Sequence, residues 1–296
     1  MLNVFITTFL NSPKASGAAD TAVGMFARIC DPKTPYKPDI VTVNIMLKHY
    51  VATNDIESMS ALMAKLSSLG LKPDVVTYTT IVDGLLKSGK RDVAKDTLDL
   101  MQSTGVVPST HTYGLLIGDL ARSGTKDDMA RADALVKRMR LAKLTPSTVT
   151  YTALLGGYFR ANMIPQALTV LKQMERDGTD MDIVTYNMVL RSIVNSNVDS
   201  HAARKAVKRV GGNGNADPSG FWRTIIDAML ARRIAPNDDT WFIALSGLHR
   251  SGRFEEGDRV IEEMQRQRFR PLPGSSLDRS IEAIRQRQPA RPARFR

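Results

Sequence analysis

The sequence predicts an all-α fold, a superhelical α-solenoid of helix-turn-helix repeats about 35 residues long. Three observations carry this. A five-residue phrase recurs as Ile40-Val-Thr-Val-Asn44, Val75-Val-Thr-Tyr-Thr79, Thr110-His-Thr-Tyr-Gly114, Thr148-Val-Thr-Tyr-Thr152 and Ile183-Val-Thr-Tyr-Asn187, at successive intervals of 35, 35, 38 and 35 residues. Each phrase opens an apolar stretch, followed by a turn such as Lys87-Ser88-Gly89 and by a second amphipathic stretch ending near Met63, Met101, Met139 or Met174. Aromatic residues are only 6% of the chain against 43% hydrophobic, which suits helices packed through Leu, Ile, Val, Met and Ala.

The elements of one unit follow from local chemistry. A stop phrase closes each unit: Gly70-Leu-Lys-Pro-Asp74, Gly105-Val-Val-Pro-Ser109, Leu144-Thr-Pro-Ser147 and Gly178-Thr-Asp-Met-Asp182. Proline ends the preceding helix and holds an extended link. The Asp or Ser after it can cap the next helix. Glycine after the first helix permits a tight turn. Neither helix can bury its apolar face alone, so the hairpins must stack.

The boundaries that result are a degenerate first repeat at 2–39, repeats at 40–74 and 75–109, and one with a short insertion at 110–147. A repeat at 148–182, one carrying an insertion at 183–237, and one at 238–272 follow, with a capping helix and basic tail at 273–296. Within 183–237 the first helix reaches about Asn195, and the Gly211-Gly-Asn-Gly-Asn215 run belongs to the insertion, with a short extra helix near 199–210. The apolar start, Met1 to Leu10, has no basic segment before Lys14 and is read as opening inside a repeat, with a leader removed or left out. The Pro- and Arg-rich end from Gln288 has a disordered composition. No run of 18 apolar residues is present, so no helical membrane span is expected.

The net charge of +11 and pI near 9.8 draw the chain to polyanions such as nucleic acid. One cysteine, Cys30, rules out a disulfide framework and a Cys-based zinc site. A zinc deaminase is excluded on the same ground. The four histidines, His49, His111, His201 and His249, show no metal-ligand spacing. Gly211-Gly-Asn-Gly lacks the strand before and the Lys after that a phosphate loop needs. No residues are left over for an appended nuclease domain. A non-enzymatic chain with no cofactor and no metal is expected.

The Val-Thr-Tyr-Asn/Thr phrase, the Gly turn, the late Met and the closing Gly-x-x-Pro-Asp resemble the pentatricopeptide repeat, over about 2–272 and most specifically over 40–187. The tetratricopeptide repeat, a rival of nearly the same period, expects an early Trp and a Leu-Gly pair that are missing here. The resemblance implies a right-handed superhelix that binds single-stranded RNA, about one base per repeat. It also implies reading pairs: Asn44 with Asp74, Thr79 with Ser109, Thr152 with Asp182, and Asn187 with Asn237 across the insertion. By the same resemblance Asn44/Asp74 would read uracil, Thr152/Asp182 guanine, Thr79/Ser109 a purine and Asn187/Asn237 a pyrimidine. Gly114/Ser147 and Phe242/Leu272 would read little. Val41, Val76, Val149 and Val184 would wedge between bases, with His111 the exception.

Plain structural roles stand beside these. Asp74 and Asp182 follow a helix stop and suit simple N-caps, and the Met series, Trp222 and Trp241 suit core packing. The function implied is a mitochondrial single-stranded RNA-binding protein, acting on mRNA or rRNA in RNA stability, processing or translation. Two alternatives are a subunit of the mitochondrial ribosome or another ribonucleoprotein particle, in contact with mitochondrial ribosomal proteins, and a protein-binding helical scaffold.

Overall fold

A computed structural model describes residues 2–10, 18–31, 33–34, 37–195 and 221–287. The extra helix expected near 199–210, the glycine run from Gly211 and the tail from Gln288 lie outside the described residues. Those residues form fifteen helices and no strand. They divide into two compact units, 1–119 with 132–145, and 120–131 with 146–296. Helices α7 (Thr110–Ser123) and α8 (Lys126–Leu141) contribute residues to both.

Each unit is a set of stacked hairpins. In the first, α1 (Leu2–Leu10) pairs with α2 (Ala18–Ile29), α3 (Ile40–Ala52) with α4 (Ile56–Lys65), and α5 (Val75–Lys87) with α6 (Arg91–Ser103). The first helices of these hairpins, α1, α3 and α5, lie side by side. In the second unit, α9 (Thr148–Arg160) pairs with α10 (Ile164–Arg176), and α11 (Ile183–Asn195) with α12 (Phe221–Ala231) across the insertion. Helix α13 (Asp238–Arg250) pairs with α14 (Phe254–Arg266), and α9, α11, α13 and α15 (Ser276–Arg285) form the corresponding row. Helix α15 buries Leu277, Ile281 and Ile284 and leaves Arg279, Glu282 and Arg285 exposed, the two-sided character of a cap on a repeat array.

The turns after α3, α5, α7, α9 and α13 are each closed by one residue in the left-handed region. Gly89 and Gly252 do this at φ 73° and 70°, but Asn54 and Asn162 do it at φ 56° and 54° where the sequence predicts glycine. Asparagine tolerates that conformation better than other L-residues. The chain then folds back in the same way in both cases: Asp55 N–H reaches Tyr50 O, and Met163 N–H reaches Tyr158 O, each at 2.8 Å.

The predicted methionines Met101, Met139 and Met174 are buried. Met63 is half-buried instead, because α4 turns Met59, Leu62 and Leu66 inward and leaves Met63 at the edge of that seam. Tyr78, Tyr113, Tyr151 and Tyr186 are buried in the first helices, and each hydroxyl finds a partner: Thr104, Gln102, Asp177 and Arg232 respectively. No described helix is long and apolar enough to cross a membrane.

Close stacking depends on three glycines at the same place in their helices. A Cβ added at Gly84 would lie 2.6 Å from Val51 Cγ2, at Gly157 2.9 Å from Ala121 O, and at Gly247 1.4 Å from Val194 Cγ1. In each case the obstacle belongs to the first helix of the preceding repeat. At Gly157 it includes backbone, which cannot swing aside. Gly157→Ala is therefore expected to lower stability by about 1–3 kcal/mol in urea denaturation, as overpacking does. Gly118→Ala, where no atom lies within 4 Å of the added Cβ, should be neutral or stabilise by up to about 1 kcal/mol. A Gly157→Ala chain as stable as wild type would refute the close approach.

Candidate nucleic-acid interface

The second candidate residue of every pair is the N-cap of a first helix. Asp74 Oδ1 accepts from Thr77 N–H at 2.8 Å, Asp182 Oδ1 from Thr185 N–H at 2.8 Å, and Asn237 Oδ1 from Thr240 N–H at 3.0 Å. Ser109 Oγ accepts from Thr112 N–H at 3.2 Å. Asp39 and Ser147 cap α3 and α9 in the same manner, through Thr42 and Thr150. Around Asp74 and Asn237 the cap is reciprocal: the threonine hydroxyl accepts from the backbone N–H of the cap, at 3.2 Å in both.

The first candidate residue of each pair lies on the preceding first helix, and the structure brings it to its cap. Asn44 is buried, and its Nδ2 donates to Asp74 Oδ1 at 3.1 Å. Asn187 Nδ2 donates to Asn237 Oδ1 at 3.4 Å although 50 residues separate them, so these two residues meet across the insertion. Thr79 and Thr152 reach their caps through an intermediary. Thr79 Oγ1 is 2.7 Å from Thr112 Oγ1, which is 3.0 Å from Ser109 Oγ. Thr152 Oγ1 is 2.9 Å from Thr185 Oγ1, which donates to Asp182 Oδ1 at 2.7 Å.

The intermediary is always the threonine at the third position of a first helix. Thr77 and Thr240 also reach the asparagines: Thr77 Oγ1 lies 2.7 Å from Asn44 Oδ1 and 2.8 Å from Asp74 Oδ1, and Thr240 Oγ1 lies 2.8 Å from Asn187 Oδ1 and 2.9 Å from Asn237 Oδ1, one proton between two acceptors in each case. Thr42, Thr77, Thr112, Thr150, Thr185 and Thr240 are all buried. The phrase displays these threonines, but reading it as a helix opening assigns them no task. The available signal is their spacing, three residues after every Asp, Ser or Asn that follows a stop.

The four candidate wedge residues point outward. Val41, Val76, Val149 and Val184 are 52%, 46%, 78% and 53% exposed. A large apolar side chain left in water at the same place on four helices calls for a partner surface. Two grooves gather these parts. One of about 470 Å³ is lined by Val76, Thr79, Ser109, His111, Lys48 and Lys87, and another of about 600 Å³ by Val184, Asn187, Asn237, Arg160 and Arg191. Each joins an aliphatic wall, a polar pair and cationic side chains, a combination that accepts a flat, polar-edged, negatively charged group. Lys87 is held at 2.6 Å by Asp83, and Arg160 Nη2 donates to Ala121 O at 2.6 Å, so part of this charge is already directed by the protein.

Burial presses the Asp74 carboxyl upward, but hydrogen bonds from the Thr77 N–H, the Thr77 hydroxyl and the Asn44 amide outweigh it and hold it below its ordinary value.

Residues 38–87, 73–122 and 146–195 match the PPR repeat family, and residues 240–269 match the PPR repeat. A chloroplastic pentatricopeptide repeat-containing protein of Arabidopsis thaliana is 30% identical over 135 residues, which is 45% of this chain and 24% of the relative. A second chloroplastic member from the same plant is 33% identical over 84 residues, 28% of this chain and 12% of the relative. The chain thus spans a quarter or less of the length of these relatives. The crystal structure of the pentatricopeptide repeat protein PPR10 from maize superposes with a TM-score of 0.55 at 18% identity, covering 96% of this chain and 41% of that one. PPR10 in complex with an 18-nt PSAJ RNA element gives 0.55 at 17% identity, covering 98% and 44%. These structures place the chain in the same helical-solenoid fold. The relatives are chloroplastic, which overturns the mitochondrial location expected from the sequence. Caps, turns and core of a helical hairpin are the same in either compartment, so the repeats could not have told them apart.

A carboxyl depressed in the folded state contributes stability above its unfolded pKa of about 3.9 and loses it as pH falls through the folded value. Asp74→Ala should therefore cost about 1 kcal/mol at neutral pH, and the gap to wild type should narrow as the pH drops below about 4. Urea denaturation across pH checks this; a gap of constant size would mean that the ionised carboxylate adds nothing.

Proposed function

The chain belongs to the pentatricopeptide repeat family, and from that premise we propose that it binds single-stranded RNA in the plastid. It acts in RNA stability, processing or translation by occluding or presenting a short segment, without catalysis of its own. The observation that carries this is the recurrence of one arrangement on successive first helices: an outward valine beside a polar side chain that meets the cap of the next repeat. A base inserted at such a place lays its face on the valine and its edge on the polar pair, while the cations near it meet phosphate. The chain's +11 charge supplies the long-range attraction.

On this reading Asn44 with Asp74 selects uracil, Thr152 with Asp182 guanine, Thr79 with Ser109 a purine, and Asn187 with Asn237 a pyrimidine. Each good pair discriminates by about 1–3 kcal/mol, by analogy with other base contacts. Four such pairs define a short site, so this stretch of chain is a reader of a few bases rather than a selector of one transcript. The plastid assignment rests on the chloroplastic relatives.

Fluorescence anisotropy on single-stranded and duplex RNA of the same sequence, titrated in salt, tests the reading. Binding should be confined to the single strand and weaken steeply as salt rises. Thr152→Asn should move the preference at one base from guanine toward uracil. Equal affinity for both RNA forms, or a base preference that ignores Thr152→Asn, refutes it and leaves a protein-binding scaffold as the better account.

A further inference from the structure

We propose that the buried threonines three residues after each cap, Thr77 and Thr185 in particular, are positioning residues that fix whether the neighbouring recognition side chain offers a base a hydrogen-bond donor or an acceptor. This rests on the RNA-binding reading above and adds residues to it that do not themselves meet the base.

Proton counting carries the inference. A hydroxyl has one proton, and an ionised carboxylate can only accept. Thr185 Oγ1 gives its proton to Asp182 Oδ1 at 2.7 Å. The 2.9 Å contact between Thr185 and Thr152 must then use the proton of Thr152. The other neighbour of Thr152 Oγ1 is the Thr148 carbonyl at 2.8 Å, which also only accepts. Whichever of the two takes it, the Thr152 proton stays inside the protein, and the hydroxyl turns lone pairs outward. Guanine meets them with two adjacent donors, N1–H and N2–H2, on its Watson–Crick edge, whereas adenine brings one donor, N6–H2, beside an acceptor at N1.

The Thr79 hydroxyl has the same surroundings, with Val75 O and Thr112 Oγ1 both at 2.7 Å. Its cap is different. Ser109 is itself a hydroxyl, 3.0 Å from Thr112 Oγ1, and can donate as well as accept. Thr112 can therefore send its proton to Thr79 or to Ser109, so the direction of this relay is not fixed, although Val75 O can hold the Thr79 proton in either case. The carboxylate of Asp182 makes the relay one-way; the hydroxyl of Ser109 leaves it reversible.

At Asn44 the same device fixes an amide. Thr77 Oγ1 lies 2.7 Å from Asn44 Oδ1 and 2.8 Å from Asp74 Oδ1, so its one proton serves the amide oxygen or the carboxylate, and Asn44 Nδ2 lies 3.1 Å from Asp74 Oδ1. Flipping the amide would set its oxygen against the carboxylate, two acceptors with no proton between them. Held this way, Asn44 has one N–H and one lone pair left side by side, matching the adjacent O4 and N3–H of uracil.

The test uses the full chain, with RNA oligonucleotides that differ only in guanine or adenine at the base whose preference responds to Thr152→Asn. Wild type should favour guanine by about tenfold. Thr185→Val, close in size and lacking the hydroxyl, should bring the two RNAs toward parity while salt-dependent binding persists, and Thr185→Ser should restore the preference. A structural role alone would weaken both RNAs together. Thr77→Val, read at the uracil position against cytosine, provides a second site should Thr185→Val fail to fold. Retention of the guanine preference in Thr185→Val, or of the uracil preference in Thr77→Val, overturns the relay and leaves the RNA reading standing. A wild-type chain with no base preference that Thr152→Asn can alter overturns both.

Discussion

The hydrogen bond between a cap side chain and the amide of the threonine three residues later does two things at once. It satisfies one of the donors left open at the start of every first helix. It also holds that cap against the first helix of the preceding repeat, since the threonine hydroxyl reaches across to Asn44, Thr79, Thr152 or Asn187. The chain cannot begin a first helix without placing a polar group at the seam between two repeats. Initiation of secondary structure and the candidate recognition surface thus use the same atoms.

Gly84 and Gly247 remove the Cβ where the preceding first helix crosses, at two seams whose threonine bridges close at 2.7 and 2.8 Å. Glycine in a helix interior sacrifices about 1 kcal/mol of propensity each time. The outward valines work in the same direction, since burying one elsewhere would be worth about 1.5–3 kcal/mol. A fold selected for stability alone would have no need of the outward valines, and their recurrence at equivalent places in four repeats fits the RNA surface proposed above.

Much of this was legible because repetition multiplies weak signals. A single five-residue opening phrase says little, but five related ones at nearly constant intervals set the helix pairs, the caps and the register. That register located Asn237 as the partner of Asn187 through an interruption whose own structure the phrase could not foretell. What stayed hidden depends on neighbours in space. The task of Thr77, Thr112, Thr185 and Thr240 appears only when the preceding helix is present to receive the hydroxyl. The glycine crossings are invisible for the same reason. Asn54 and Asn162 were missed because two residue types serve one backbone conformation. Trp241 stands where four other repeats have tyrosine, and its buried Nε1 finds no acceptor among the described residues, a local exception that no propensity would flag.

The polar pairs are largely satisfied before any ligand arrives, and this bears on how a base could be told from its competitor. Groups already fixed by hydrogen bonds lose little conformational freedom on binding, so their remaining donors and acceptors act at full strength. A base of the wrong polarity gains nothing by rotating Asn44 or Thr152, because each rotation breaks a bond the protein has already made. Rejection then comes from an unmatched edge, which costs more than a matched edge gains. Attraction follows a different rule, since the excess of Lys and Arg over Asp and Glu acts on phosphate irrespective of base. On the proposed reading, strength of binding and choice of base reside in different atoms of each groove, and the threonines at the seam can influence the second without touching the first.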